Sequence, residues 1–192
     1  MKFYAALQEN HHYTDYQIKV IHYALITIAS EISKFLMLGA FFFALGKLTE
    51  YLWAMLLFLC LRRYSGGIHC KTYLGCLAVS FGYIAACVLV LPSLSIQLQT
   101  QKILLLGSMA VLAVISPIPS VYHAKLKKPQ SIRYKIYVLI FTGVYFMLVS
   151  KLYRDPYYVT GFWIILMHTI QLTIFYFQRR FTNEKSMDEQ NA

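Results

Sequence analysis

From residue 20 onward the chain alternates long apolar runs with short charged or turn-forming segments. The first run, Val20–Gly46, carries Glu31, Ser33 and Lys34 in its first half and is uninterrupted from Phe35 to Leu45. After a short turn at Lys47–Glu50, the run Leu52–Leu61 is too short to cross a bilayer unaided, because a spanning helix needs about twenty residues. It predicts either a short span, lengthened by Leu48–Tyr51 and by Arg62 and Arg63 reaching for the interface, or a re-entrant helix. Further spans are predicted over Tyr73–Leu91, Ile103–Ile115, Ile136–Ser150 and Tyr157–Phe177. Pro92–Lys102 reads as a polar turn. Ser116-Pro117-Ile118-Pro119 ends the fourth span, since proline lacks the amide a helix needs. Residues 1–19, mixed polar and aromatic, read as a cytoplasmic interfacial segment able to form an amphipathic helix on the membrane surface, and the charged tail from Gln178 reads as disordered.

The pattern defines an all-α, polytopic integral membrane protein with about six helices in one membrane domain spanning residues 1–192. Composition agrees: 58% of the 192 residues are apolar and only 14% are charged, against about a quarter charged in soluble domains. The first twenty residues include Glu9, His11, His12, Asp15 and Lys19 and show no apolar stretch leading to a cleavage site, so the first helix is expected to insert uncleaved.

Net charge is +10. Threading six spans from a cytoplasmic N-terminus puts Arg62, Arg63, Lys71, Lys125, Lys127, Lys128, Arg133, Lys135, Arg179, Arg180 and Lys185 inside, with Lys2 and Lys19. Only Lys47, Lys102, Lys151 and Arg154 fall outside, as the positive-inside bias requires. Both termini are then expected to be cytoplasmic. The excess also suits an acidic partner at the inner face, whereas no basic stripe on a soluble module points to nucleic acid. The spacing of Cys60, Cys70, Cys76 and Cys87 is neither metal-like nor that of a disulfide framework. No metal or cofactor is expected.

Chemistry concentrates in Arg62-Arg63-Tyr64-Ser65-Gly66-Gly67-Ile68-His69-Cys70-Lys71-Thr72-Tyr73-Leu74-Gly75-Cys76. A cysteine nucleophile needs a base or an electropositive setting, and His69 is a candidate base. Seven residues of continuous helix would hold His69 and Cys76 about 10 Å apart, beyond a side-chain hydrogen bond. The third helix is therefore predicted to begin at Thr72, a good N-cap. The Gly66-Gly67 loop would then fold His69 back over the helix start, and Cys76 would lie just past the first turn, where the positive end of the helix dipole and nearby Lys71 favour thiolate. The amides there could also stabilise an oxyanion. Cys60, Cys70 and Cys87 read as small apolar fillers, and His123 and His168 as a loop and a helix-face residue. Glu31, an acid within an apolar run, is a candidate orienting residue for the histidine or an i,i+3 partner of Lys34. Ser65 and Ser80 have no stronger claim.

Arg62, Gly66, Gly67, His69 and Cys76, in the pattern R-x-x-x-G-G-x-H-x6-C, resemble the accessory gene regulator B (AgrB) family, which processes precursors of bacterial autoinducing peptides. The resemblance extends to chain size, number of spans, Ser116-Pro117 and Lys127-Lys128-Pro129. It implies a membrane-embedded cysteine endopeptidase with Cys76 as nucleophile and His69 as base. Arg62, Gly66, Gly67, Lys127 and Lys128 would be supporting or substrate-binding residues. The implied substrate is a precursor peptide with an amphipathic leader, a signal segment and an acidic C-terminal tail. Removing the tail would leave a thioester on Cys76 that cyclises to a thiolactone or lactone for quorum sensing. A homodimer is expected on general grounds, alongside contact with membrane lipid. The rival reading is a small peptide exporter, against which stands the lack of paired broken helices or matching halves.

Overall fold

The computed structural model describes the backbone of residues 15–66, 72–118 and 128–191. All regular structure among the described residues is helical. In chain order the helices are α1 (Asp15–Ala44), α2 (Leu48–Ser65), α3 (Tyr73–Ala85), α4 (Leu98–Ile115), α5 (Lys128–Leu152) and α6 (Pro156–Asn191). A π-helical turn, Ala86–Val90, and a 3-10 turn, Leu91–Ser93, continue α3 as far as the proline-bearing stop at Pro92. The chain divides into two compact units, Met1–Gly46 and Lys47–Ala192. The first is α1, whose polar half holds the ion pair between Glu31 and Lys34.

Among the described residues, five helical stretches are long and apolar enough to cross a membrane: Val20–Ala44, Tyr73–Ser93, Leu98–Ile115, Lys128–Leu152 and Pro156–Gln178. The chain is a multi-pass membrane protein. Helix α2 is not among the five; its 18 residues include Glu50, Arg62 and Arg63. The short second run thus becomes a full helix, but one with charged ends.

Within the second unit α6 is the central helix, with 56% of its apolar window buried against 22–28% for the spans of α3, α4 and α5. It starts cleanly because Asp155 caps it, its Oδ1 accepting from the Tyr157 and Tyr158 amides at 3.0 Å each, with Pro156 pre-set for the first helical position. Helices α2 and α6 run parallel. Trp53 Nε1–H donates to the Tyr157 carbonyl at 3.0 Å near one end, and Ser65 meets His168 nearer the other. Helix α3 returns beside α6, held where the Tyr83 hydroxyl donates to the Ile164 carbonyl at 2.8 Å. Close approach of α6 to α2 and α5 depends on Gly161, where a Cβ would overlap the Tyr145 hydroxyl and Leu57. Leu112, Ile118, Val138 and Leu172 form a core where α4, α5 and α6 converge, with Tyr64 of α2 packed against it.

Two expectations are corrected. Leu98–Lys102, expected as part of a polar turn, is the first turn of α4. Its polar Gln101 can be buried because Nε2 donates to the carbonyls of Ile96 at 3.1 Å and Tyr153 at 3.2 Å. The tail from Gln178, expected to be disordered, continues α6 to Asn191. Gln178–Asn191 contains no glycine or proline to stop a helix that is already nucleated. Residues 1–14 lie outside the described residues, and Asp15–Lys19 belong to α1 rather than to a separate surface segment.

Candidate active site

The motif opens at the last turn of α2. Arg62 is half-buried and lays its guanidinium carbon 5.6 Å from the centroid of the Phe58 ring, a cation–π arrangement. Phe58 lies 4.8 Å from the Tyr83 ring and edge-on to His168 at 5.9 Å. Arg62 therefore sits over the aromatic seam that joins α2, α3 and α6. Arg63, by contrast, is exposed.

Gly66 ends α2 with φ +90° and ψ −173°, a conformation essentially reserved for glycine. Its amide donates to the Arg62 carbonyl at 3.1 Å. A Cβ here would run into the Ile118 carbonyl oxygen. The contact arises because the Ser65 carbonyl accepts from the Ile118 amide at 3.0 Å, just beyond the cis Ser116–Pro117 bond that turns the chain out of α4. The proline stop and the glycine turn, far apart in sequence, are pinned to each other.

The next described residue is Thr72, extended at φ −116° and ψ 148°, whose side chain accepts from the Gly75 amide at 3.2 Å. It is the N-cap of α3, as expected. The Cys76 amide makes the first intrahelical bond, to the Thr72 carbonyl at 3.1 Å. Cys76 is buried and stands one turn inside α3. Because Thr72 is extended, α3 begins only at Tyr73. The expected oxyanion donors are narrowed, since the Gly75 and Cys76 amides already bond to Thr72.

His69, Gly67 and Lys127 lie outside the described residues, as do Cys70 and Lys71. Lys128 is exposed and opens α5, so the basic loop passes directly into helix, and Arg133 and Lys135 lie in its first turns rather than in a loop. Glu31 belongs to the other unit and is ion-paired with Lys34. None of the described cysteines is in a disulfide. Cys60 lines an apolar cavity of about 610 Å³ between α2, α5 and the start of α6, and Cys87 is buried in the π-helical turn. Both fit the role of fillers.

The residue that sequence reasoning passed over is His168. It is no surface histidine: it is wholly buried in α6 with Nε2 2.6 Å from Ser65 Oγ. The available signal was a histidine inside an apolar helix, where a buried polar group must find a partner.

Tracing the helices fixes the depth of the site. Ser65 is level with His168, and roughly ten further residues of α6 remain to Gln178, about 15 Å of helix. On α5, Tyr137 packs on Tyr64 at 5.1 Å, about 14 Å in from Lys128. The glycine turn is thus recessed below the ends of its neighbours. The end toward which it faces carries Arg62, Arg63, Lys128, Arg133 and Lys135, whereas Glu50 and Asp155, the only acids between Lys47 and Gln178, lie at the far end.

A recessed thiol at a capped helix start, reached through a glycine turn in a bundle of apolar helices, defines a polytopic α-helical membrane protein with a candidate thiol site. The model of the accessory gene regulator B family matches residues 1–172, and the chain belongs to that family. Over 102 residues it is 31% identical to a protein of Clostridium beijerinckii described as AgrB-like. That match covers 52% of this chain and 51% of the relative, so the chain spans about half the length of the curated relative it matches. No solved structure matches.

Proposed function

We propose that the chain is a membrane-embedded cysteine endopeptidase that removes the acidic C-terminal tail of an autoinducing-peptide precursor and holds the remainder as a thioester. The observation that carries this reading is Cys76, buried one turn inside a Thr72-capped helix beside the glycine turn, in a chain of the AgrB family. His69 takes the proton of the Cys76 thiol. The sulfur attacks the scissile carbonyl, the C–N bond breaks, and the departing nitrogen of the tail receives that proton. The positive end of α3 stabilises negative charge nearby, and donors for the oxyanion come from the loop or from α3 ahead of Gly75. A thiol or hydroxyl of the peptide then attacks the thioester carbonyl, closing the ring and returning the proton to Cys76. A recess among apolar helices limits the water that would hydrolyse the thioester instead.

Arg62, Gly66 and Gly67 shape the loop. Lys127 and Lys128 attract the acidic tail to what is read as the cytoplasmic end, where the charge bias places both termini. Glu31, already paired with Lys34, is the weakest candidate to orient His69. Co-expression of the chain with a precursor carrying an epitope on its tail tests the reading. Cys76→Ala and His69→Ala should abolish tail release, and Cys70→Ala should keep it. Peptide appearing outside the cell with its tail intact would instead identify an exporter.

A further inference from the structure

We propose that His168 is a positioning residue for the cysteine chemistry, its hydrogen bond to Ser65 fixing the direction in which Gly66 sends the chain toward His69. The inference rests on the cysteine-peptidase reading above and adds to it a residue on α6, a helix other than the one that carries the thiol.

The Ser65 hydroxyl has one proton, and the Leu61 carbonyl 2.7 Å away receives it. Its lone pairs then accept from His168 Nε2–H at 2.6 Å. Both side chains are fully buried. Ser65 is held on three sides: by its own helix through Leu61, by α6 through His168, and by the segment after α4 through the Ile118 amide. Gly66, the next residue, is therefore launched from a fixed point, and its positive φ sets the angle. Thr72 fixes the other end of the segment at the start of α3. Only five residues of sequence separate Gly66 from Thr72, so the positions fixed at Ser65 and Thr72 are the two ends from which that stretch departs. Catalytic geometry tolerates little positional error, since misplacement by about 1 Å can cost ~100-fold in rate.

The second observation separates positioning from plain packing. His168 Nδ1 is buried and has no hydrogen-bond partner. A histidine kept only to fill the core would be better replaced by an apolar ring, because an unpaired buried polar atom is destabilising. The imidazole leaves one buried nitrogen unpaired, and its one engaged nitrogen meets the residue that precedes the glycine turn.

The test needs no knowledge of the natural peptide. In the full chain carrying Cys60→Ala, Cys70→Ala and Cys87→Ala, the rate at which iodoacetamide alkylates Cys76 reports how well the base addresses the sulfur. His69→Ala should slow labelling about tenfold; labelling at the parent rate would overturn the peptidase reading of His69, independently of His168. With that arm positive, His168→Phe should slow labelling by a similar factor while thermal unfolding stays at or above the parent temperature. His168→Gln, which keeps a donor near the Nε2 position, should restore much of the rate. Ser65→Ala should match His168→Phe, with no further loss in the double variant. Should His168→Phe fail to fold, Ser65→Ala decides alone. Parent-rate labelling in a folded His168→Phe or Ser65→Ala chain overturns the proposal, and so does equal slowing by Phe and Gln.

Discussion

Gly66 is where side-chain identity is least negotiable. Any other residue there faces two penalties: a backbone conformation costing of order 1–3 kcal/mol and a Cβ that cannot coexist with the Ile118 carbonyl. Gly66→Ala should abolish tail release and lower the unfolding temperature of the purified chain, whereas substitutions at exposed Arg63 should do neither. The glycine pair was visible in the sequence as a loop signal, but its partner was not. Nothing in the order of residues ties Gly66 to Ile118, or Ser65 to His168, because both pairings are made by helices that meet only in the folded bundle. The same limit explains why His168 looked idle. A histidine in an apolar stretch announces that it needs a partner without saying which one.

Among the helices, those delimited by local chemistry were the legible ones. Pro117 stopped α4 at Ile115 and Thr72 started α3, each from its own side chain or ring. The boundaries that polarity alone suggested were the ones that moved. Gln99–Lys102 and the residues past Gln178 are polar yet helical, since polar residues other than glycine and proline do not end a helix that neighbours extend. Thr72→Ala should loosen the first turn of α3 by about 1 kcal/mol, the usual worth of an N-cap. Because Cys76 hangs from that turn, tail release should fall several-fold, and Thr72→Ser should retain most of it. A Thr72→Ala chain that processes at the parent rate would show that the cap does not hold the thiol in place.

Across the whole bundle, charge is sorted by end. The end that holds the glycine turn is basic among the described residues 47–178, and both acids of that stretch lie at the other. Opening α5 with Lys128 sets a cation against the positive end of a helix dipole, an unfavourable placement that fades beyond the first turn, while Arg133 and Lys135 add to the positive charge at the same end. On the proposed peptidase reading, an acidic peptide tail would supply the compensating charge. Lys128→Glu should therefore raise KM for tail release about tenfold at low ionic strength with little change in kcat, and the deficit should shrink as salt approaches ~0.5 M. A salt-independent deficit would point to a packing role for Lys128.

The depth of the glycine turn has a consequence for what can be processed. An extended chain advances at most about 3.5 Å per residue, so on the proposed reading a peptide entering from the basic end would thread about four residues to cover the roughly 14 Å that separates Lys128 from the level of Tyr64. Bulky cargo joined closer than that to the scissile bond would stall at the rim, making reach, as well as side-chain identity, a gatekeeper of specificity.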